Sequence, residues 1–101
     1  MEEIRVLLVD DEVEFLETIE KRLRKRNLQV SCSHSGEAAL EFLVAHPVDV
    51  VVLDVKMAGM DGIETLREIK RAHPLVEVVM LTGHATVETA IEGMKLGAFD
   101  Y

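Results

Sequence analysis

The chain has a single cysteine, Cys32, which excludes an intrachain disulfide and fits a reducing compartment. Basic residues are the minority charge: 11 Lys and Arg against 19 Asp and Glu leave a formal net charge of -8. Phosphate backbones and anionic bilayers bind clustered cations, so this balance argues against direct nucleic-acid or membrane partners. The one basic run, Lys21-Arg22-Leu23-Arg24-Lys25-Arg26, lies in a helical pattern. It reads as a solvated face near a helix C-terminus, where the macrodipole favours cations. No apolar stretch approaches the roughly 20 residues that cross a bilayer. Glu2 and Glu3 stand where a secretion signal would be basic. These absences predict a cytoplasmic location. His34, His46, His73 and His84 show no metal-ligand spacing and no paired cysteine, which argues against zinc. Nucleophile elbow, Walker loop and dinucleotide fingerprint are all missing.

What is present is the composition of a globular domain, 49% hydrophobic and 30% charged over 101 residues. Three apolar runs, Ile4 to Val9, Val48 to Leu53 and Leu75 to Leu81, are β-branched and nearly continuous. That pattern predicts strands of a parallel sheet covered on both faces. A weaker run, Leu28 to Ser33, alternates and predicts an edge strand. Between the runs, apolar residues recur at helical spacing: Phe15, Leu16, Ile19 and Leu23; then Ala39, Leu40, Leu43 and Val44. Ile63, Leu66, Ile69 and Ala72 form a third set, stopped by Pro74. Val87, Ala90, Ile91 and Met94 form a fourth, with Gly97 placed as a C-terminal cap. Strands alternating with helices imply right-handed crossovers and a doubly wound α/β parallel sheet in one domain, residues 1–101.

The polar residues fall at strand ends. The first strand runs into Asp10-Asp11, the third ends at Asp54, and the fourth runs into Thr82-Gly83. Doubly wound sheets bind ligands outside the carboxyl ends of their strands, where the winding reverses. A single aspartate there is commonly a helix cap, and Asp11 is placed to cap a helix opening at Glu12. Three converging carboxylates are harder to explain as caps, because like charges at close range repel unless a cation compensates. Hard oxygen ligands of this kind suit Mg2+, which keeps waters and phosphate oxygens in its remaining positions. With such an ion in place a carboxylate can attack a phosphoryl group.

The strings Val6-Leu-Leu-Val-Asp10-Asp11, Leu53-Asp54-Val-Lys-Met57, Gly59-Met-Asp61-Gly62, Leu81-Thr82-Gly83-His84 and Gly97-Ala-Phe-Asp-Tyr101 occur in order along the chain. In sequence and spacing they resemble the motifs of response-regulator receiver domains of two-component signalling. The stretch from Gly83 to Tyr101 is most similar to receivers of sigma-54-dependent transcription activators. The resemblance implies a flavodoxin-like receiver fold with strand order 2-1-3-4. It makes Asp54 the phospho-acceptor. Asp10, Asp11, Asp54 and the backbone carbonyl of Lys56 become the Mg2+ ligands, Asp10 acting largely through water. Thr82 becomes the switch hydroxyl and Tyr101 the aromatic switch. The implied donor is a sensor histidine kinase or a phosphotransfer protein, and the domain assists its own phosphorylation without being an enzyme in its own right.

The sequence departs from the family in two places. Ala58 stands where the family usually has proline after Met57, predicting a looser loop and no lost chemistry. The family's phosphate-pairing lysine would lie three residues beyond Tyr101, and the pattern stops where a fifth strand would begin. The expectation is a receiver lacking its fifth strand and helix, with the fourth strand left as an edge. Such an edge invites a homodimer or strand-exchanged oligomer, or else leaves the fold marginal; alternatively the native protein continues further. Two competing readings follow. One is a binding-only, receiver-like interaction module that phosphorylation does not switch. The other is an aspartyl-phosphate phosphatase, disfavoured because Asp10 and Asp11 are adjacent, whereas such enzymes space nucleophile and acid two residues apart.

Overall fold

A computed structural model describes residues 3–54, 57, 59–81, 91 and 93–98. Strand β1 (Arg5–Val9) leads to helix α1 (Val13–Arg24), β2 (Gln29–Ser33), α2 (Gly36–Ala45), β3 (Val50–Asp54), α3 (Gly62–Ala72) and β4 (Glu77–Leu81). All strand pairs are parallel, and the order across the sheet is β2-β1-β3-β4. The alternation and order expected from the sequence are therefore observed. β2 lies at one edge and, among the described residues, β4 lies at the other.

Local chemistry explains where the helices start and stop. Ser35 caps α2 by accepting from Ala38 N–H at 3.0 Å, and Asp61 caps α3 by accepting from Glu64 N–H at 2.8 Å. The end of α1 reverses through Asn27, whose φ of 63° is one that asparagine tolerates better than most side chains. Residues 91 and 93–95 are helical. The Gly97 cap is in place: at φ 103° its N–H donates to Met94 O, while Ala98 N–H donates to Gly93 O, both at 3.1 Å. This pair of bonds satisfies carbonyls that the helix end would otherwise leave open. Val87 and Ala90, the other residues of the expected fourth helical pattern, lie outside the described residues.

The core is unequal on the two faces. Leu7, Val9, Val51, Leu53, Val78 and Met80 point to the side covered by α2 and α3, where Leu43, Leu66, Ile69 and Ala98 meet them. On the other side α1 supplies Leu16, with Ile19 and Leu23 behind it, against Val6, Leu8 and Val30. β1 is buried almost throughout, as a central parallel strand should be. β4 departs from the expectation of two covered faces. Val78 and Met80 are buried, but Val79 is only half-buried and Leu81 is exposed among the described residues. The expected strand starts are also late: Leu75 is 93% exposed in the turn after α3, and β4 opens two residues on.

An ion pair fastens the amino ends of the strands. Asp49 accepts from Arg5 N–H at 2.8 Å and from its guanidinium at 3.1 and 3.2 Å. Its own main chain pairs with Arg5 on one side and Glu77 on the other. The Arg5 hydrogen bonds hold the Asp49 carboxyl below its ordinary value. The contribution to stability is therefore complete above the ordinary carboxyl pKa of roughly 3.9 and is lost as pH falls through the lower folded value. Asp49→Asn should flatten the acid limb: the thermal midpoints of the two proteins should differ at pH 6 and converge toward pH 3. Parallel curves across that range would show that the pair contributes nothing to acid stability.

Candidate metal and phospho-acceptor site

β1 and β3 are adjacent, so the residues that leave their carboxyl ends meet. Asp10 follows the last residue of β1, and its main-chain N–H donates to Ser33 O at 3.2 Å. Asp54 is the last residue of β3, in register with Leu81 of β4. Asp11 turns outward in the β1–α1 connection. One carboxylate oxygen from each of Asp10, Asp11 and Asp54 falls within 4.8 Å of the others. Asp10 is 7% exposed and Asp54 9%, whereas Asp11 is exposed. The cluster thus has a buried floor and a solvent-facing rim.

Electrostatics decides what this arrangement favours. Two unit charges 4.8 Å apart repel by roughly 3.5 kcal/mol at an effective dielectric near 20. Three such carboxylates together favour a cation, and their hard oxygens favour a hard one. Ligands of a single octahedral Mg2+ stand about 2.9 Å apart when adjacent and about 4.2 Å when opposite, so a cluster bounded by 4.8 Å needs only small side-chain adjustments. The donor set therefore fits Mg2+.

The capping expectation for Asp11 is corrected. Helix α1 begins at Val13, its cap residue Glu12 has no side-chain capping bond, and it is Asp10 Oδ1 that accepts from Glu12 N–H at 3.0 Å. One oxygen of Asp10 is thereby oriented by the helix entrance. Thr82, Lys56 and Tyr101, together with Gly83 and His84, lie outside the described residues. Below the carboxylates, Phe15, Leu16 and Ile19 of α1 face Leu8, Val52 and Leu81, which gives the site an apolar floor.

Cys32 is not a second reactive centre. Its Sγ donates to Glu20 Oε2 at 3.3 Å, and burial together with that carboxylate pushes the thiol up to about 11. It stays protonated and weakly nucleophilic at neutral pH. Sequence reasoning also missed a contact between α2 and the segment that follows β3. Glu37, at the start of α2, accepts from Met60 N–H at 2.9 Å in the loop that follows Asp54. No periodicity or motif announces a contact between positions 23 apart.

Comparison with known proteins agrees with the geometry. The family described as the response regulator receiver domain matches residues 6–101. The transcriptional regulatory protein ZraR of Escherichia coli K12 is 42% identical over 98 residues, covering 97% of this chain and 22% of that protein. The chain thus spans about a fifth of the length of the curated relatives it matches. A receiver domain crystal structure from Clostridium thermocellum superposes with a TM-score of 0.90 at 37% identity, covering 97% of this chain and 79% of that one. A response regulator from Burkholderia pseudomallei, solved with a phosphorylated aspartic acid, calcium ion and citrate, gives 0.92 at 25% identity, covering 98% and 58%. The chain belongs to the response regulator receiver domain family.

Proposed function

We propose that this chain accepts a phosphoryl group on Asp54 from a sensor histidine kinase or phosphotransfer protein, with Mg2+ at the acidic cluster. The observation that carries the reading is the convergence of Asp10, Asp11 and Asp54, two of them buried, at the carboxyl ends of adjacent strands. In the transfer, an Asp54 carboxylate oxygen forms a bond to phosphorus as the phosphorus–nitrogen bond of the donor phosphohistidine breaks. The electron pair leaves with the imidazole. Mg2+ would be held by Asp10, Asp11, Asp54 and the Lys56 carbonyl, and would offset the charge of the incoming phosphoryl oxygens.

The chain's own residues have distinct parts in this reading. Asp10, oriented by the Glu12 N–H, holds the cation side of the cluster. The buried position of Asp54 limits water around the acyl phosphate. Thr82 and Tyr101 take the switch roles, the hydroxyl moving toward the phosphoryl oxygens and the ring following. The added charge of about -1.5 to -2 would then shift a pre-existing two-state equilibrium. The output is transcriptional control in a cytoplasmic two-component system, of the kind run by sigma-54-dependent activators; the relationship to ZraR, a transcriptional regulatory protein, supports the transcriptional part of that reading. The chain is a substrate that assists its own modification, and residues 1–101 act as one receiver unit.

Intact-mass measurement with acetyl phosphate tests this reading. With Mg2+ present the chain should gain the mass of one phosphoryl group, and EDTA should abolish the gain. A chain that stays unlabelled with Mg2+ in excess contradicts the reading.

A further inference from the structure

The amino ends of the strands, opposite the aspartates, carry a projecting side chain at one edge of the sheet and a cleft at the other. Leu75 is 93% exposed, more than any other large apolar side chain among the described residues. It stands two residues before β4. The turn that presents it is held from both sides. Lys70 Nζ donates to Pro74 O and to Val76 O, each at 3.0 Å, and Val76 N–H donates to His73 O at 3.1 Å. An apolar projection fixed in this way loses little conformational freedom when another surface covers it.

The cleft lies where α2 ends over β1 and β2. It has a volume of about 280 Å3 and opens to solvent, and its lining includes Arg5, Gln29, Ser31, Phe42, His46 and Val48. The rings of Phe42 and His46 stack with centroids 4.4 Å apart and make one flat wall. A cavity of about 150 Å3 already takes a benzene ring, so a leucine side chain fits here.

A projection and a cleft on one molecule close into a pair only if a single two-fold sets each against the other. The sheet order supplies that two-fold. A half-turn about the sheet normal at the amino ends sets β4 of one copy against β2 of the other. Leu75 follows α3 and the cleft lies beneath α2, and these helices share one face of the sheet. Charge falls in the same arrangement on the other face. Val78 and Met80 point toward α2 and α3, so Glu77 points to the α1 side, where it is exposed. Lys25 and Arg26 are exposed at the end of α1, on that same side and before the start of β2. The half-turn keeps each face with its like, so Glu77 meets the basic end of the other copy's α1.

We propose that this chain forms a weak two-fold dimer through the amino ends of its strands, Leu75 of each copy entering the cleft beside Phe42 and His46 of the other, with Glu77 against Lys25 and Arg26. The contact differs from an edge-to-edge association through β4, because it does not use the main chain of that strand. A surface anchored on one leucine per copy belongs with small, transient interfaces, with a dissociation constant of about 0.1–1 mM.

Sedimentation equilibrium from about 0.05 to 2 mM spans that range and tests the proposal. The original chain should pass from monomer to dimer. Leu75→Asp should stay monomeric throughout, with an unchanged thermal midpoint because the side chain is exposed. Glu77→Arg and Arg26→Glu should each weaken association about two- to thirtyfold, since every dimer contains the pair twice. The two reversals combined should restore most of the affinity. In a mixture of two isotope labels, Leu75 methyl protons should give intermolecular cross-peaks to the Phe42 ring. An original chain that is still monomeric at the highest concentration overturns the proposal. A Leu75→Asp chain that associates like the original also overturns it, by placing the contact elsewhere, such as the β4 edge. Single reversals that weaken association without rescue in the combined variant overturn the two-fold arrangement.

Discussion

An Asp54→Asn chain is expected to take up no phosphoryl group from acetyl phosphate under conditions that label the unsubstituted chain, a loss of more than about 100-fold in rate. The carboxamide keeps the shape of the side chain but presents no anionic oxygen to phosphorus, and nucleophilic catalysis depends on that oxygen. Asp54 is 9% exposed, so the substitution occurs where a shape change would be felt, and asparagine minimises it. It also removes one charge from a cluster whose carboxylate oxygens lie within 4.8 Å of one another. In the absence of metal the variant should therefore be no less stable than the parent, and its Mg2+ affinity should fall. Labelling of the variant at the stoichiometry of the parent would move the acceptor to Asp10 or Asp11. Loss of labelling with a collapsed thermal midpoint would attribute the loss to unfolding and leave Asp54 without support.

The second large effect concerns the scaffold. Leu66 of α3 is fully buried and sits among Val51, Leu53, Ile69 and Val78, on the face where α2 and α3 cover the sheet. Leu66→Ala should cost about 2–5 kcal/mol, combining lost transfer energy with an incompletely closed cavity. Against the roughly 5–15 kcal/mol typical of small domains, that is a large share. The urea midpoint should fall by roughly 1–3 M at an unchanged slope. Leu75→Ala, in a side chain 93% exposed, should shift stability by less than about 0.5 kcal/mol. Equal effects of the two substitutions would contradict the described core.

The architecture was legible because burial and backbone chemistry act locally. β-Branched runs marked β1, β3 and β4, and Pro47, Pro74 and Gly97 marked where helical patterns end. The alternation in Leu28 to Ser33 marked β2 as an edge strand. Asp61 before Gly62 was readable as a turn, and it is the α3 cap. β4 carried two expectations, a covered strand from its apolar residues and an edge with uncovered apolar surface from its place in the order; of its five residues Val78 and Met80 are buried and Leu81 is exposed, so one face follows the first and the strand end the second. Hydrophobicity records what a residue tolerates, and only the placement of neighbouring elements decides what covers it.

The candidate site divides in the same way. The sequence by itself determined that carboxylates stand at strand ends and in which order, because acidic residues cannot sit unpaired within a parallel sheet and collect where the chain leaves it. That β1 and β3 are neighbours was legible only through the family resemblance, which implies the order 2-1-3-4; the tertiary structure bears that order out and brings one carboxylate oxygen each of Asp10, Asp11 and Asp54 within 4.8 Å of the others. It also decided that Asp10 rather than Asp11 accepts the Glu12 N–H. The bonds of Glu37 to Met60 and of Arg5 to Asp49 cross 23 and 44 residues of chain. A hydrogen bond carries no periodicity along the sequence; it depends on distance and angle, which exist only once the sheet and helices have packed.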